Sequence, residues 1–312
     1  MTEDNILNDE RSVEGGGKIF LPKPENYDKL IEVGYTDFEI DPTFLQRHAF
    51  PAVELSRKLF ARGDDYLQDF LIPPMTQEQF QVNPDYGVKL ERGGDIPNPT
   101  AIQIAEGRTK EDSNKDWWHY HPHLELWLQE KGVEITPDLE QLFYHASKLH
   151  NAANFMSLQI ARELDSRLPG YNFLERIKTV MYLNVLRGLN YNETRRGVNK
   201  AVWHSDRSIW GFHWWSTFHA LVLRVDGKEI HPDEVAEDKV LVFFGQHIEK
   251  ICDELKGKKV PHAVVERRQN DIEIAFEDRR IENVPRSTLV SFIKANMGPQ
   301  PDVLFQPVYP GR

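Results

Sequence analysis

The stretch AVWHSDRSIWGFHWW (201–215) is the most informative part of this 312-residue sequence. It holds four of the seven tryptophans of the chain, and His204 and Asp206 stand two residues apart inside it. On a β-strand, the side chains of residues i and i+2 point to the same face of the sheet. An imidazole nitrogen and a carboxylate oxygen placed in this way can converge on one metal ion.

The region around this stretch is predicted to be rich in β-strands. From about residue 175 onward, short segments of β-branched and aromatic residues alternate with turn residues. The Asp-Gly pair in VDGK (225–228) is typical of a tight hairpin turn. Many short strands at this spacing favour a sandwich, a jelly roll or a barrel.

The N-terminal half is predicted to be mainly helical. Apolar residues recur every three or four positions over 137–168, and Pro137 suits the first turn of a helix. The segment 42–63 is also predicted to be helical, with a kink or break at Pro51. Residues 71–116 are rich in Pro, Gly, Asn and Asp, which indicates a long loop excursion between these helices.

Composition excludes several classes of function. The chain has 38 basic and 49 acidic residues, a net charge of −11, and no extended basic cluster of the kind that nucleic-acid binding needs. Cys252 is the only cysteine, so an intramolecular disulfide and a cysteine-based zinc site are excluded. The acidic N-terminus lacks the apolar core of a signal peptide, and no apolar run has the length of a membrane span. A cytoplasmic location without membrane or nucleic-acid partners is therefore expected.

A third metal ligand must come from another strand if His204 and Asp206 bind an ion. Non-haem Fe(II) favours two imidazoles and one carboxylate on one face, with the opposite face open. The candidates for the third ligand are five histidines downstream: His213, His219, His231, His247 and His262. His262 is favoured because it begins a β-type run far enough downstream for two or three intervening strands. His213 and His219 lie close to Asp206 in sequence but stay open as alternatives.

The segment PRSTLVSFI (285–293) carries a candidate anion site. Arg286 and Thr288 stand at i and i+2 ahead of an apolar run, so both side chains lie on one face if the run is a strand. A guanidinium group pairs with a carboxylate through two parallel hydrogen bonds, and a nearby hydroxyl adds a third. The pair is suited to hold the far end of a dicarboxylate.

Taken together, these segments resemble the iron(II)/2-oxoglutarate-dependent oxygenases, in the branch that includes isopenicillin N synthase and ethylene-forming enzyme. The resemblance covers about residues 178–295. It rests on the order and spacing of four segments: MYLNVLRGLNY (181–191), WHSD (203–206), KVLVFFGQHIEKICDELKGKKVPHAVV (239–265) and RSTLVSF (286–292).

The resemblance implies an α+β, mainly β fold with a double-stranded β-helix core of the jelly-roll, cupin-like type and N-terminal helices packed on it. It implies that His204, Asp206 and His262 bind Fe(II), and that Arg286 and Thr288 bind 2-oxoglutarate. A long insert, RRQNDIEIAFEDRR, separates His262 from Arg286, so Arg279 or Arg280 is the alternative clamp.

The resemblance also implies the domain plan and the reaction. Residues 1–17 are expected to be a disordered tail, and residues 18–312 one oxygenase domain. Its parts are a helical region (18–175), a jelly-roll core (176–300) and a C-terminal extension (301–312). O₂ and 2-oxoglutarate would be consumed, succinate and CO₂ released, and a small molecule such as an amino acid or natural-product intermediate hydroxylated. Two alternatives are an iron oxidase that needs no 2-oxoglutarate and a non-catalytic β-barrel binding protein.

Five residues are candidates for contact with the main substrate. Trp203 and Trp214 belong to the aromatic stretch and could wall the iron site. Tyr182, Asn184 and Arg187 lie on a predicted inward strand, with Tyr182 and Asn184 on one face and Arg187 on the other if the strand is regular.

A separate cluster, WWHYHPH (117–123), contains His119, His121 and His123. Pro122 disturbs the regular geometry that a second metal site would need, so a lid or a dimer surface is the preferred interpretation. Whether the chain is a monomer or a homodimer stays open at this point.

Overall fold

The structure is a computed structural model that describes residues 20–62, 88–89, 97–98, 115–120, 129, 132, 134–181, 184–191, 201–265 and 286–297. The strands are β1 (Phe20–Leu21), β2 (Tyr35–Ile40), β3 (Val88–Lys89), β4 (Pro97–Asn98), β5 (Lys115–Tyr120), β6 (Val185–Tyr191), β7 (Ala201–His204), β8 (Trp210–Ser216), β9 (Leu221–Val225), β10 (Lys228–Ile230), β11 (Lys239–Phe244), β12 (His262–Val264) and β13 (Arg286–Ile293). The α-helices are α1 (Pro24–Val33), α2 (Pro42–Phe44), α3 (Phe50–Phe60), α4 (Pro137–Arg167), α5 (Phe173–Val180) and α6 (Ile248–Ile251).

Two antiparallel sheets form the β core. The larger has seven strands in the order β1-β2-β11-β8-β13-β6-β5, and the smaller has four in the order β10-β9-β12-β7. From β6 onward the chain alternates between them, because β6, β8, β11 and β13 lie in the large sheet and the strands between lie in the small one. This alternation is the connectivity of a jelly roll. Apolar residues of β9 and β11 form a shared cluster between the sheets.

Helices cover the large sheet on the side away from the small sheet. Helix α4 buries an apolar stripe, including Met156 and Ile160, in one cluster with Phe212 and Trp214 of β8. Trp210 of β8 donates a hydrogen bond from its indole nitrogen to Ser157 Oγ of α4 at 3.2 Å. A buried indole N–H needs such a partner, so this hydrogen bond helps to fix how the helix lies on the sheet.

The predicted helix 42–63 is observed as a nearly continuous helical segment that ends at Phe60. Its middle is a π-helical turn, Leu45–Ala49, in which Phe50 N–H bonds to Leu45 O. Pro51 follows directly, in the first turn of α3. Because proline cannot donate a hydrogen bond, the wider turn before it absorbs the mismatch, and the chain continues as α3 instead of breaking.

Most of the other predicted elements are observed close to their predicted limits. Helix α4 covers 137–167, and Asp226 and Gly227 form the predicted turn between β9 and β10 with φ of 48° and 77°. The strand predicted from residue 181 is wrong at its start, because helix α5 extends to Val180 and β6 begins only at Val185. Strands β1, β2 and β5 of the N-terminal region pair into the large sheet. Among the described helices, none is both long and apolar enough to cross a membrane.

Candidate metal centre and its pocket

His204 and His262 are direct cross-strand neighbours in the small sheet. Strands β7 and β12 run antiparallel, and their register places His262 opposite His204. Side chains opposite each other in such a pair have Cβ atoms about 5 Å apart, and here the ring centroids are 4.4 Å apart. The sheet register therefore brings together two imidazoles that are distant in sequence. Four strands, β8 to β11, intervene between them, which is more than the two or three expected.

Asp206 lies just beyond the end of β7, in a loop that main-chain hydrogen bonds hold in place. Gln246 N–H donates to Asp206 O at 2.8 Å, and His247 N–H donates to Ser208 O at 3.1 Å. Gly245 begins the turn at 245–247, and a Cβ atom at this position would lie only 2.3 Å from Ser208 O. The glycine therefore permits a close approach that no other residue would allow.

The three side chains fit a divalent ion with mixed nitrogen and oxygen ligands. Asp206 Oδ1 lies 3.7 Å from Nε2 of His204 and 3.7 Å from Nε2 of His262. Two atoms that bind one ion at about 2.1 Å each can be up to about 4 Å apart, so the carboxylate can share an ion with either ring. Ligand atoms of all three residues lie within 4.8 Å of one another. Two imidazoles and one carboxylate are the donor set of non-haem Fe(II) sites.

The alternative histidines are not part of this cluster. His213 is buried on β8 and contacts other polar residues, and His219 forms an ion pair with Asp233 at 3.6 Å. His231 is exposed, and His247 is buried in the loop that holds the Asp206 segment. Within the described part of the chain, the only group of metal-ligand side chains of this size is His204, Asp206 and His262.

A pocket that is partly open to solvent joins the candidate metal ligands to the candidate anion site. Both sheets contribute to its walls. Its polar lining includes Arg187, Tyr191, His213, Arg286 and Thr288 in addition to the three candidate ligands. Its apolar lining consists of Leu189, Leu221, Phe243, Val264, Val290 and Phe292. Apolar walls combined with convergent polar groups are typical of a small-molecule site.

Arg286 lies on this wall with 1% of its surface exposed, and a dense network surrounds it. Its Nη2 donates to Glu234 Oε1 at 2.5 Å and to Ser216 Oγ at 3.0 Å. Its Nε donates to the carbonyl oxygen of Phe218 at 3.4 Å. Its Nη1 is buried and has no hydrogen-bond partner. A buried donor without a partner is costly, so a ligand that accepted a hydrogen bond from this nitrogen would remove that cost.

Glu234 keeps its negative charge although it is fully buried. Burial alone would raise its pKa, but the Arg286 guanidinium and the backbone N–H groups of Ala220 and Leu221 outweigh burial and hold the pKa of this carboxyl below its usual value. The two N–H groups donate to Glu234 Oε2 at 2.9 Å and 2.7 Å. The pair of Arg286 and Glu234 is therefore a hydrogen-bonded ion pair inside the protein.

His213 and Thr288 lie beside this ion pair. Burial, opposed by Glu234 and assisted by Arg286, lowers the pKa of His213 to about 4, so its ring is neutral at pH 7. Its Nε2 lies 2.9 Å from Thr288 Oγ1. Thr288 Oγ1 also donates to the carbonyl oxygen of Trp215 at 3.0 Å. Arg286 and Thr288 thus face the pocket on one side of β13, as their i, i+2 spacing predicts.

Arg187 is the second guanidinium in the pocket. It lies half-buried on β6, and its Nε donates to His119 Nε2 at 2.5 Å across the pair of strands β5 and β6. Its guanidinium also lies over the ring of Phe292 at 4.7 Å. His119 is buried and accepts a hydrogen bond from this arginine. Its position therefore differs from the lid or dimer surface that was predicted for the cluster 117–123. His121 and His123 lie outside the described residues.

Three candidates for substrate contact lie outside the pocket. Trp214 is buried among apolar residues on the helix-covered face of the large sheet and donates to Ser291 Oγ at 2.8 Å. Trp203 lies under the guanidinium of Arg224 at 4.0 Å. Asn184 donates to Asn154 Oδ1 at 2.8 Å and precedes the strand. This placement does not support the hypothesis that these two tryptophans wall the iron site, because each adjoins a pocket residue, His204 or His213, and successive residues of a strand face opposite sides.

Other candidates cannot be placed. Tyr182, Arg279 and Arg280 lie outside the described residues. Two residues at or beside the pocket wall are not identified from the sequence. From the sequence, His213 is a candidate only as a metal ligand and not as part of the anion site, and Glu234 is not a candidate at all. His213 falls on the pocket face of β8 and so could have been found from the strand register. Glu234 follows an exposed hairpin in an acidic segment, and nothing in its local sequence distinguishes it from surface acids.

Comparison with known proteins gives the fold an independent test. No protein-family model matches the sequence, and no curated protein sequence matches it. Similar solved structures include a putative oxygenase from Shewanella oneidensis, with a TM-score of 0.56 at 14% identity over 87% of this chain and 86% of that one. A Neurospora crassa protein in complex with alpha-ketoglutarate and thymine has a TM-score of 0.59 at 14% identity, covering 87% and 79%.

A third similar structure is JOX2 in complex with 2-oxoglutarate, iron and JA. Its TM-score is 0.53 at 16% identity, and the match covers 86% of this chain and 70% of that one. A putative 2OG-Fe(II) oxygenase family protein from Caulobacter crescentus also matches, with a TM-score of 0.51 at 17% identity over 87% of this chain and 80% of that one. The chain therefore has the double-stranded β-helix fold of the 2-oxoglutarate and iron(II) oxygenases.

Proposed function

We propose that this protein is an Fe(II)- and 2-oxoglutarate-dependent dioxygenase that hydroxylates a small molecule. The observation that carries this proposal is the placement of His204, Asp206 and His262 in the same pocket as Arg286. One end of the pocket offers ligands for a ferrous ion, and another offers a buried guanidinium for a carboxylate. A co-substrate with a keto acid at one end and a carboxylate at the other is complementary to both.

The roles of the residues follow from their positions. His204, Asp206 and His262 would hold Fe(II), and Arg286 would hold the distal carboxylate of 2-oxoglutarate through its free Nη1 donor. Thr288 lies beside it, and its hydroxyl can turn from Trp215 O toward the same carboxylate. When bound, Fe(II) with 2-oxoglutarate and O₂ supplies an oxidation that releases succinate and CO₂. The apolar walls keep bulk water away from this chemistry.

The substrate is proposed to be a small molecule that carries an acidic group. The guanidinium of Arg187 is a positive charge on the pocket wall, and its Nε donates a hydrogen bond to His119. The remaining walls are mostly apolar, so the rest of the substrate is expected to be apolar. Thymine and JA, bound by two of the similar structures, are small molecules, which supports this size class. The net charge of −11 and the single cysteine favour a small-molecule enzyme of the cytoplasm.

The first test is spectroscopic. Anaerobic addition of Fe(II) and 2-oxoglutarate to the purified protein is expected to produce a weak visible charge-transfer band. His204→Ala and His262→Ala should each abolish the band because each removes a metal ligand. His213→Ala should keep the band but require more 2-oxoglutarate to saturate it, because His213 contacts Thr288 rather than the metal ligands. His231→Ala, at an exposed histidine, is the matched control.

Other outcomes would point to other functions. Iron binding without any effect of 2-oxoglutarate, together with full activity of Arg286→Ala, would identify an oxidase in which the substrate itself binds iron. Failure to bind iron after anaerobic reconstitution would identify a non-catalytic binding protein. A substrate library that is screened for succinate formation with Fe(II), 2-oxoglutarate and O₂ then identifies the class of molecule that is oxidised.

A further inference from the structure

Arg286 and Glu234 form an ion pair that is almost completely shielded from water. Their side chains are 1% and 0% exposed, and the shortest N···O distance is 2.5 Å. The residues are far apart in sequence, because Arg286 begins β13 whereas Glu234 follows the β9–β10 hairpin. An arginine on the wall of a proposed carboxylate site is thus already paired with a carboxylate of the protein itself.

Glu234 is fixed independently of Arg286. Its carboxylate accepts the backbone N–H groups of Ala220 and Leu221 at 2.9 Å and 2.7 Å. Its own carbonyl oxygen accepts Ser216 N–H at 2.9 Å, and Ser216 Oγ accepts from Arg286. The carboxylate therefore has a fixed position, and the guanidinium must adapt to it.

The bonds assign separate roles to the guanidinium nitrogens. Glu234 and Ser216 occupy Nη2, the carbonyl oxygen of Phe218 occupies Nε, and Nη1 stays without a partner. Because Glu234 already balances the charge of Arg286, binding of another carboxylate depends on the direction of Nη1 more than on net charge. A planar guanidinium that is held on one edge can present its other edge in only one direction.

We propose that Glu234 is a positioning residue for the co-substrate site, which orients Arg286 so that Nη1 meets the distal carboxylate of 2-oxoglutarate. This inference rests on the proposed function and adds to it a residue that acts through Arg286. Glutamine at this position is nearly isosteric but has one acceptor oxygen in place of two and adds N–H groups that face other donors. Glu234→Gln should therefore release Arg286 from its present orientation.

The test compares two co-substrates that differ only at the distal end. 2-Oxopentanoate has the five-carbon keto acid of 2-oxoglutarate but lacks the distal carboxylate. Binding of each to the Mn(II)-loaded protein is measured by calorimetry without oxygen. The wild type should bind 2-oxoglutarate more tightly, and Glu234→Gln should lower the ratio of the two affinities at least tenfold while leaving 2-oxopentanoate binding within about threefold.

The chain offers a matched control. Glu229→Gln breaks another Glu–Arg pair, with Arg224 at 3.2 Å, but this pair is exposed and lies outside the pocket. It should leave the ratio of affinities unchanged. In an Arg286→Gln background, Glu234→Gln should cause no further loss of 2-oxoglutarate binding, because the glutamate is proposed to act only through that arginine.

The outcomes separate the two levels of the proposal. If the wild type binds neither keto acid, the proposed function fails. If the wild type discriminates and Glu234→Gln weakens both keto acids equally, or keeps the original ratio, Glu234 has only a structural role and the inference is overturned. If Glu234→Gln does not fold, Glu234→Asp gives the same readout, because it keeps the charge and shortens the reach toward Arg286.

Discussion

Single residues show which parts of the site a sequence can predict. The i, i+2 spacing of His204 and Asp206 predicts that they are partners, although Asp206 lies in the loop beyond β7 and not on the strand. Arg286 and Thr288 are identified in the same way. The register that sets His262 opposite His204, and the ion pair of Arg286 with Glu234, depend on strand pairing between distant segments. Spacing along the chain carries no information about such contacts, so the partner of Arg286 could not be predicted.

Arg187 is the residue expected to select the substrate. In a library that pairs each carboxylic acid with its neutral amide, the wild type should form succinate faster with the acids. Arg187→Gln should lower this preference about 10- to 100-fold, since a hydrogen bond to a charged group contributes about 1.5–3 kcal/mol. Arg187→Lys should restore part of it, because a lysine keeps the charge but not the planar fork.

Arg224→Gln is the control for this change, because Arg224 is exposed on β9 and does not line the pocket. An unchanged preference for acids in Arg187→Gln would show that the arginine is structural. The proposal of an acidic substrate would then be withdrawn, although the proposed reaction would be unaffected.

At the scale of elements, local periodicity predicted the long helix and the hairpin turn correctly. It did not predict the start of β6. Helix α4 and the Asp226–Gly227 turn were predicted correctly because their signals lie within a few consecutive residues. The start of β6 was predicted wrongly because β-branched and aromatic residues near Val180 resemble a strand. In α5, Phe173, Ile177 and Val180 are all buried, a spacing of four and three that favours a helix.

One hydroxyl group joins helix α3 to strand β5 by a hydrogen bond. Ser56 Oγ accepts the indole N–H of Trp118 at 2.8 Å and donates to Ala52 O at 2.7 Å, and both side chains are buried. Ser56→Ala would leave the indole donor without a partner, so we expect a loss of about 1–3 kcal/mol in the free energy of unfolding. Chemical denaturation with tryptophan fluorescence measures this difference.

Ser147→Ala is the matched control, because Ser147 also donates to a carbonyl of its own helix, Tyr144 O at 2.7 Å, but is only partly buried. This change should alter the free energy of unfolding by less than about 0.5 kcal/mol. Equal effects of the two substitutions would show that the indole bond contributes little to the attachment of α3.

For the whole molecule, buried neutral histidines predict a dependence of stability on pH. Burial lowers the pKa of His150 to about 4 in the folded protein, whereas a histidine in the unfolded chain titrates near about 6.5. As the pH falls between these values, the unfolded chain binds a proton that the folded chain does not. The free energy of unfolding therefore decreases through this window, by up to about 3 kcal/mol for this residue, and the loss levels off below about pH 4.

Thermal unfolding from pH 7 to pH 4 tests this prediction. His150→Gln should show a smaller decrease of the melting temperature over this range than the wild type, because the titrating group is gone. His231→Gln, at an exposed position, should follow the wild-type curve. Parallel curves for wild type and His150→Gln would mean that His150 is protonated equally in both states. His48, whose pKa burial also lowers to about 4, adds to the wild-type slope.

The loop that carries Asp206 has a consequence for how this protein can vary. Main-chain hydrogen bonds fasten that loop to the turn at 245–247, and Gly245 is constrained there by lack of space. The side chains of Gln246 and His247 take no part in these backbone bonds. Substitutions of the partly buried Gln246 can therefore accumulate while the carboxylate of Asp206 keeps its place, whereas the buried His247 is constrained by its surroundings.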